Sequence, residues 1–215
     1  MPSKPITFAI VDDDAGLRDS IVRYLTVKGG LTCVGQYGRA QDALANLPTE
    51  QLSVVLMDIK MKGMDGIECV RHLKEKMPDV LVIMLTVFDD DDLIFDALMA
   101  GATGYLLKRQ PPEQLLDAIH ELLAGGSPMS ATIARKVVKL LQRSASTGKS
   151  TGGTRLLLSD RQREMLELLA RGEPYKAIAD KMGLSIHTVR GYIRRIYEKL
   201  QVHSRTEAVA KYLRQ

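Results

Sequence analysis

Five short apolar runs punctuate the first half of the chain, and between them apolar and polar positions alternate at helical spacing. The runs are Ile6 to Val11, Leu31 to Gln36, Val54 to Met57, Val80 to Leu85 and Gly104 to Leu107. They are mostly uninterrupted, the pattern of strands covered on both faces. The intervening stretches are amphipathic: Leu17, Ile21, Val22 and Leu25, at i, i+4, i+5 and i+8, give a helix one apolar stripe. Regular alternation of strand and helix predicts an α/β fold, a doubly wound parallel sheet of five strands. After Ser127 the pattern changes. A short helix is predicted around Ala131 to Gln142, with Ile133, Val137, Leu140 and Leu141 on one side. Ser144 to Thr154, rich in Ser, Thr and Gly, reads as a flexible linker.

Beyond the linker every strong pattern is helical, which predicts a small all-α, four-helix unit. Ser159 with Gln162 three residues on has the form of a capping box, and Gly172 ends that helix. Met182-Gly183-Leu184 reads as the turn between helices Tyr175 to Met182 and Ile186 to Leu200; Ser185 and Ser204 read as N-caps. The predicted organisation is residues 1–126, a connecting segment 127–154 and a helical unit 155–215.

Residues just past the carboxyl ends of strands in an open parallel sheet gather in one crevice, where ligands bind. Asp12, Asp13, Asp58, Thr86 and Lys108 all occupy such positions. Crowded carboxylates repel one another unless a hard cation joins them, and an all-oxygen set suits Mg²⁺. With a lysine and a threonine alongside, the set is suited to receiving a phosphoryl group on an aspartate. Asp65 and Gly66 read as a tight turn and cap before a helix. The acidic run Asp89 to Asp92 reads as helix capping, since a helix N-terminus favours negative charge.

Charge divides the chain. Residues 1–127 hold 12 Lys and Arg against 19 Asp and Glu, whereas residues 128–215 hold 18 against 7. An acidic half that binds a cation and a basic half that binds a polyanion fit this asymmetry. Two cysteines, Cys33 and Cys69, are too few for a disulfide framework and sit in apolar surroundings, as reduced core residues do. No stretch approaches the ~20 apolar residues of a membrane span, so the expected location is the cytoplasm, with no membrane partner.

Several motifs also agree with a known family in order and spacing. VDDD (Val11 to Asp14), LMDIKMKGMDGIE (Leu56 to Glu68), MLT (Met84 to Thr86) and AGATGYLLK (Ala100 to Lys108) resemble the receiver domain of two-component response regulators, which has a flavodoxin-like sheet. LSDRQREMLELLARG (Leu158 to Gly172), SIHTVRGYIRRIYEKLQV (Ser185 to Val202) and SRTEAV (Ser204 to Val209) resemble the LuxR-type helix-turn-helix domain. The order is that of the NarL/FixJ type. The resemblance implies phosphorylation at Asp58, with Mg²⁺ held by Asp13, Asp58 and the backbone carbonyl of Lys60, and by Asp12 through water. It implies that Lys108 and Thr86 meet the phosphoryl oxygens, and that Tyr105 turns inward behind Thr86 as the switch. The implied partners are a sensor histidine kinase, double-stranded DNA and a second copy of the chain on activation, with RNA polymerase a further candidate. Two departures stand out: Lys62 where the family has Pro, and Asp14 where the subfamily often has His, which adds a fourth carboxylate nearby.

In the helical unit Val189, Ile193, Ile196 and Leu200 repeat at inward spacing and leave Arg190 and Arg194 outward. By the same resemblance Arg190, Gly191 and Arg194 face bases in the major groove, while Lys176, Thr188, Arg195, Lys199 and Arg205 are candidates for phosphate contacts. Ala208, Val209 and Tyr212 form an apolar strip on the last helix, a candidate dimer contact. Two rival readings are an aspartyl-phosphate phosphohydrolase and a constitutive DNA- or protein-binding regulator. The first usually needs an acid two residues after the nucleophile, where this chain has Lys60. The second leaves the five pocket residues without a purpose.

Overall fold

The structure, a computed structural model, describes residues 5–48, 52–146, 158–184 and 186–213. It divides into two compact units, residues 1–142 and 143–215. The first unit is built on strands β1 (Thr7–Val11), β2 (Thr32–Tyr37), β3 (Val54–Met57), β4 (Leu81–Thr86) and β5 (Gly104–Leu107). Every pair is parallel, in the order β2-β1-β3-β4-β5. Helices α1 (Ala15–Val27), α2 (Ala40–Asn46), α3 (Gly66–Lys76), α4 (Asp91–Met99) and α5 (Pro112–Leu123) fill the crossovers and follow the last strand. The order reverses between β1 and β3, and that switch point opens a crevice at the strands' carboxyl ends.

Alternation along β1 explains the layers. Phe8 and Ile10 join Ile21 and Leu25 of α1 and Leu115, Ile119 and Leu122 of α5 in one core, while Ala9 and Val11 are equally buried. Strands β1, β3, β4 and β5 are buried on both faces, as their unbroken apolar runs require, whereas the edge strand β2 is half-buried to exposed. Three strands differ from expectation by one residue: β1 begins one later, and β2 and β4 are shifted one later at both ends. Threonine is the new boundary residue in each, and its β-branched side chain suits a ladder position; Thr86 pairs with Leu107.

Helix α6 (Ala131–Ser146) follows α5. It runs past Gln142 and takes up Ser144 to Ser146, which the sequence pattern assigns to the linker. Once a helix is nucleated, adding residues such as Ala145 is cheap, so composition alone misjudges the end. The rest of the expected linker, residues 147–154, lies outside the described residues. Ser127 and Pro128 tie the chain to the sheet before α6 begins. The Ser127 hydroxyl donates to Thr103 O at 2.6 Å, Tyr105 N donates to Pro128 O at 3.0 Å, and Met129 forms a bridge with Tyr105.

The second unit packs α9 (Ile186–Leu200) against α7 (Asp160–Ala170), α8 (Tyr175–Met182) and α10 (Arg205–Leu213). The Ser159–Gln162 capping box has both its hydrogen bonds, at 3.2 Å each. Gly172 and Gly183 close α7 and α8 with φ of +86° and +65°, the left-handed conformation that glycine adopts without a Cβ clash. Ser204 caps α10 through Glu207 N at 3.2 Å; the Ser185 cap lies outside the described residues. Val189, Ile193, Ile196 and Leu200 are buried as their spacing predicts, and Tyr192 is buried with them.

The apolar strip expected on α10 differs in exposure along its length. Ala208 is completely buried within its own unit, and the Tyr212 hydroxyl reaches Glu167 Oε1 at 3.1 Å. Val209 and Tyr212 are half-buried, so only Ala208 is withdrawn from the surface into the core of the unit.

Candidate phosphoacceptor site and nucleic-acid interface

Each acidic residue of the crevice is placed by the strand it ends. Asp12 N donates to Tyr37 O at 3.0 Å and Asp58 N to Val11 O at 2.9 Å, so the ladder's hydrogen bonding continues one residue past β1 and β3. Lys108 N is held on Thr86 O at 2.8 Å in the same way past β5. The ladders therefore deliver Asp12, Asp58 and Lys108 to one point.

There the Lys108 ammonium lies 2.7 Å from Asp12 Oδ2 and 2.9 Å from Asp58 Oδ2. Carboxylate oxygens of Asp12, Asp13 and Asp58 lie within 4.8 Å of one another; Asp13 is the exposed member and the other two are buried. Asp58 Oδ1 accepts the amide of Ile59 at 2.8 Å. Burial pushes the Asp58 carboxyl above the ordinary carboxylate range; Lys108 opposes that rise and Asp12 adds to it. Burial also disfavours the Lys108 cation, but its bonds to Asp12 and Asp58 outweigh this and lift it above its usual value. The pair thus holds a compact charge group out of bulk water, where electrostatics are stronger than at the surface.

The loop after β3 is pinned by a glycine. Gly66 N donates to Ile59 O at 2.9 Å, and a Cβ at Gly66 would stand 1.8 Å from Asp58 O. Asp65 caps α3 by accepting Glu68 N at 2.8 Å. Lys60 and Lys62 are exposed.

Thr86 is completely buried, and its hydroxyl oxygen accepts Phe88 N at 3.4 Å. Tyr105 is completely buried too, its hydroxyl donating to Phe88 O at 2.9 Å. Burial, with Asp90 and Asp89 nearby, pushes that phenol far above its usual range. The expectation has Tyr105 turning inward on activation, whereas the structure already holds it inward. A hydroxyl buried this deeply needs an acceptor, and Phe88 O provides one.

Asp14 is not a spare carboxylate: it caps α1, accepting Leu17 N at 3.0 Å. The signal was legible, an Asp three residues before the first apolar position of the α1 stripe. Arg18 was missed. Its guanidinium donates to Asp12 O, bracing the acidic loop from one turn inside α1. Asp90 caps α4 through Asp92 N at 3.0 Å and Leu93 N at 3.4 Å, as the acidic run suggests.

In the helical unit Arg190 and Arg194 are exposed one turn apart on α9, and Lys176 is exposed on α8. A Cβ built on Gly191 would meet nothing within 4 Å, so the surface between the two arginines is open. Ile186, in the first turn of α9, is also exposed; sequence reading passed over it. Other predicted contacts are partly engaged. Thr188 is buried. Lys199 donates to Gln162 Oε1 at 2.7 Å, and Arg205 donates to Leu169 O at 2.8 Å and Glu173 O at 3.0 Å. No carboxylate or apolar pattern in the sequence foretold those carbonyl partners.

A 2-1-3-4-5 parallel sheet with a lysine-bridged aspartate cluster at its carboxyl edge, followed by a helix-turn-helix unit, defines a response regulator with a DNA-binding output domain. Residues 8–120 match the response regulator receiver domain, and residues 156–212 match the bacterial regulatory proteins of the luxR family. The chain belongs to the two-component response regulators of the NarL/FixJ type. It is 33% identical over 199 residues to the DNA-binding transcriptional activator DevR/DosR of Mycobacterium tuberculosis, covering 93% of this chain and 90% of that one. Over 205 residues it is 28% identical to the nitrate/nitrite response regulator NarL of Escherichia coli, covering 95% and 94%. Among solved structures it is similar to the response regulator ChrA of a heme-sensing two-component system, at 30% identity and a TM-score of 0.53, covering 99% of this chain and 98% of that one. Among the described residues, no helix is long and apolar enough to cross a membrane.

Proposed function

We propose that Asp58 accepts a phosphoryl group from a sensor histidine kinase, and that this event controls dimerisation and sequence-specific DNA binding. The observation that carries the reading is the Lys108 ammonium, 2.7 Å from Asp12 and 2.9 Å from Asp58, beside three clustered carboxylates. The all-oxygen donor set fits Mg²⁺, which Asp12, Asp13, Asp58 and the Lys60 carbonyl would hold. Bound there, the ion would neutralise charge shared by carboxylate and phosphoryl oxygens. An Asp58 carboxylate oxygen attacks phosphorus, the bond to the kinase's phosphohistidine nitrogen breaks, and that nitrogen keeps the electron pair. Lys108 stabilises the charge on the transferred group as a point cation, and the Thr86 hydroxyl donates to a phosphoryl oxygen. The chain is the acceptor in this transfer and not an enzyme acting on a separate substrate.

On DNA, Arg190 and Arg194 read base edges across the open surface at Gly191, and exposed Lys176 meets phosphates, with half-buried Arg195 a lesser candidate. Lys199, Thr188 and Arg205 are the weaker phosphate candidates, since their side chains are engaged or buried within the unit. One helix-turn-helix reads only a few base pairs, so genomic specificity calls for a dimer on paired half-sites. RNA polymerase, in the cytoplasm, is the further partner this reading supports.

The test is phosphorylation by acetyl phosphate, or beryllofluoride binding, with and without Mg²⁺. Modification should require the metal and vanish in Asp58→Asn. Wild-type labelling of that variant would refute the assignment.

A further inference from the structure

Lys136 lies in α6, outside the receiver and helix-turn-helix motifs. Its ammonium donates to Asp89 O and sits 3.6 Å from both Asp89 Oδ2 and Asp91 Oδ1. These acceptors belong to the loop between β4 and α4 and to the first turn of α4. Two positions earlier in that loop is Val87, followed by Phe88, whose carbonyl takes the Tyr105 hydroxyl at 2.9 Å and whose amide is held on Thr86. Tyr105 is bound from behind as well: its amide donates to Pro128 O at 3.0 Å, and it bridges to Met129. Ser130 then caps the helix that carries Lys136, accepting Ile133 N at 3.3 Å, and Ile133 is completely buried.

These contacts close a ring. It runs from the Tyr105 backbone through Pro128 and Met129 into α6, across Lys136 to Asp89, back one residue to Phe88, and to the Tyr105 hydroxyl. Cutting it at Lys136 removes the link from α6 to the loop and leaves Phe88 held by the Tyr105 hydroxyl and the long Thr86 contact. The Lys136 side chain is half-buried while Asp89 and Asp91 stand nearer the surface, so the hydrogen bond to Asp89 O carries the hold and the two ion pairs add to it.

We propose that Lys136 is a positioning residue for the acceptor pocket: from α6 it holds the β4–α4 loop, and through Phe88 it keeps Tyr105 inward behind Thr86. The inference deepens the reading of Asp58 as acceptor, because a loop fixed in this way sets where the Thr86 hydroxyl can meet a phosphoryl oxygen. Coupling of this kind is reciprocal. An occupied pocket therefore tightens the hold on α6, the helix that continues toward the DNA-binding unit.

The experiment compares full-length wild type, Lys136→Met and Lys136→Arg by hydrogen exchange and by beryllofluoride affinity in Mg²⁺. Methionine keeps the packing stem and removes the cation, whereas arginine keeps a donor. Lys136→Met should speed exchange of amides from Phe88 to Leu93 and along α6, and weaken beryllofluoride binding by about fivefold, the lower end of ordinary site coupling. Lys136→Arg should restore most of both. Unchanged exchange in the loop overturns the proposal, and so does altered exchange with wild-type beryllofluoride affinity. A loss that arginine fails to rescue points to packing alone and also overturns it. If wild type itself binds no beryllofluoride, the acceptor reading of Asp58 fails separately, and loop exchange alone decides the role of Lys136.

Discussion

At the scale of single residues, the aspartate cluster depends on atoms that are close because the backbone permits no alternative. Gly66 is the sharpest case, since any side chain there would meet the Asp58 carbonyl at 1.8 Å. Gly66→Ala should destabilise the receiver by at least about 1–3 kcal/mol, the ordinary range for overpacking, in urea unfolding. It should also slow labelling by acetyl phosphate, because relief of the clash moves Asp58. Full stability with full labelling would show that the loop shifts freely. Cys69 offers a pH-dependent check. Its thiol is pushed up to about 12 by burial, with Asp65 and Glu68 adding to the rise. A raised folded value means the native state keeps its proton where the unfolded chain, near 9, gives it up. The contribution to stability is therefore complete below the unfolded value and is lost as pH rises toward about 12. At pH 8 Cys69 should resist a thiol reagent in the native protein and react on unfolding; rapid native labelling would contradict its burial.

Elements contribute through their ends as much as their faces. Asp14, Asp65, Asp90 and Ser159 each accept amides from the first turn of a helix, offsetting donors that a helix leaves without partners. Ser159→Ala should lower the stability of the helical unit by about 1 kcal/mol. The receiver's transition should stay in place, which calorimetry or probe-specific unfolding would resolve. Helix α9 divides its labour by face: buried Val189, Tyr192, Ile193 and Ile196 hold it, and exposed Arg190 and Arg194 are offered outward. Replacing either arginine with Ala should remove roughly 1–3 kcal/mol of preference for cognate over random DNA. Lys176→Ala should instead weaken both equally and reduce the salt slope by about 1. Equal losses on the two DNAs for the arginine variants would remove them from base reading.

For the whole molecule the asymmetry of charge is the governing quantity. The half that gathers the aspartate cluster is acidic, and residues 128–215, which contain the match to the luxR family, carry 18 Lys and Arg against 7 Asp and Glu. Binding to a polyanion releases counterions, so affinity for DNA should fall steeply and log-linearly with salt. Activation by beryllofluoride should raise the sedimentation mass and tighten binding to paired half-sites in the same titration. A chain that is monomeric on cognate DNA in both states would reject phosphorylation-driven dimerisation, as would equal dimerisation and affinity without the activator.

The sequence by itself determined the strand–helix alternation and its parallel sheet, the strand-end placement of Asp12, Asp13, Asp58, Thr86 and Lys108, most caps, and the inward face of α9. All of these follow from periodicity and from residue types at element ends, which are local properties of the chain. Tertiary structure decided the rest. That Lys108 bridges Asp12 and Asp58, that Tyr105 is already inward on Phe88, and that Arg205 ends on the carbonyls of Leu169 and Glu173 depend on partners distant in the chain. The same holds for Ala208, whose apolar face reads from sequence as a free surface but is consumed by its own core. Lys136 is the clearest example, since its partner Asp89 lies 47 residues away. Spacing along a helix tells which side chains share a face; only the packed fold tells what that face meets.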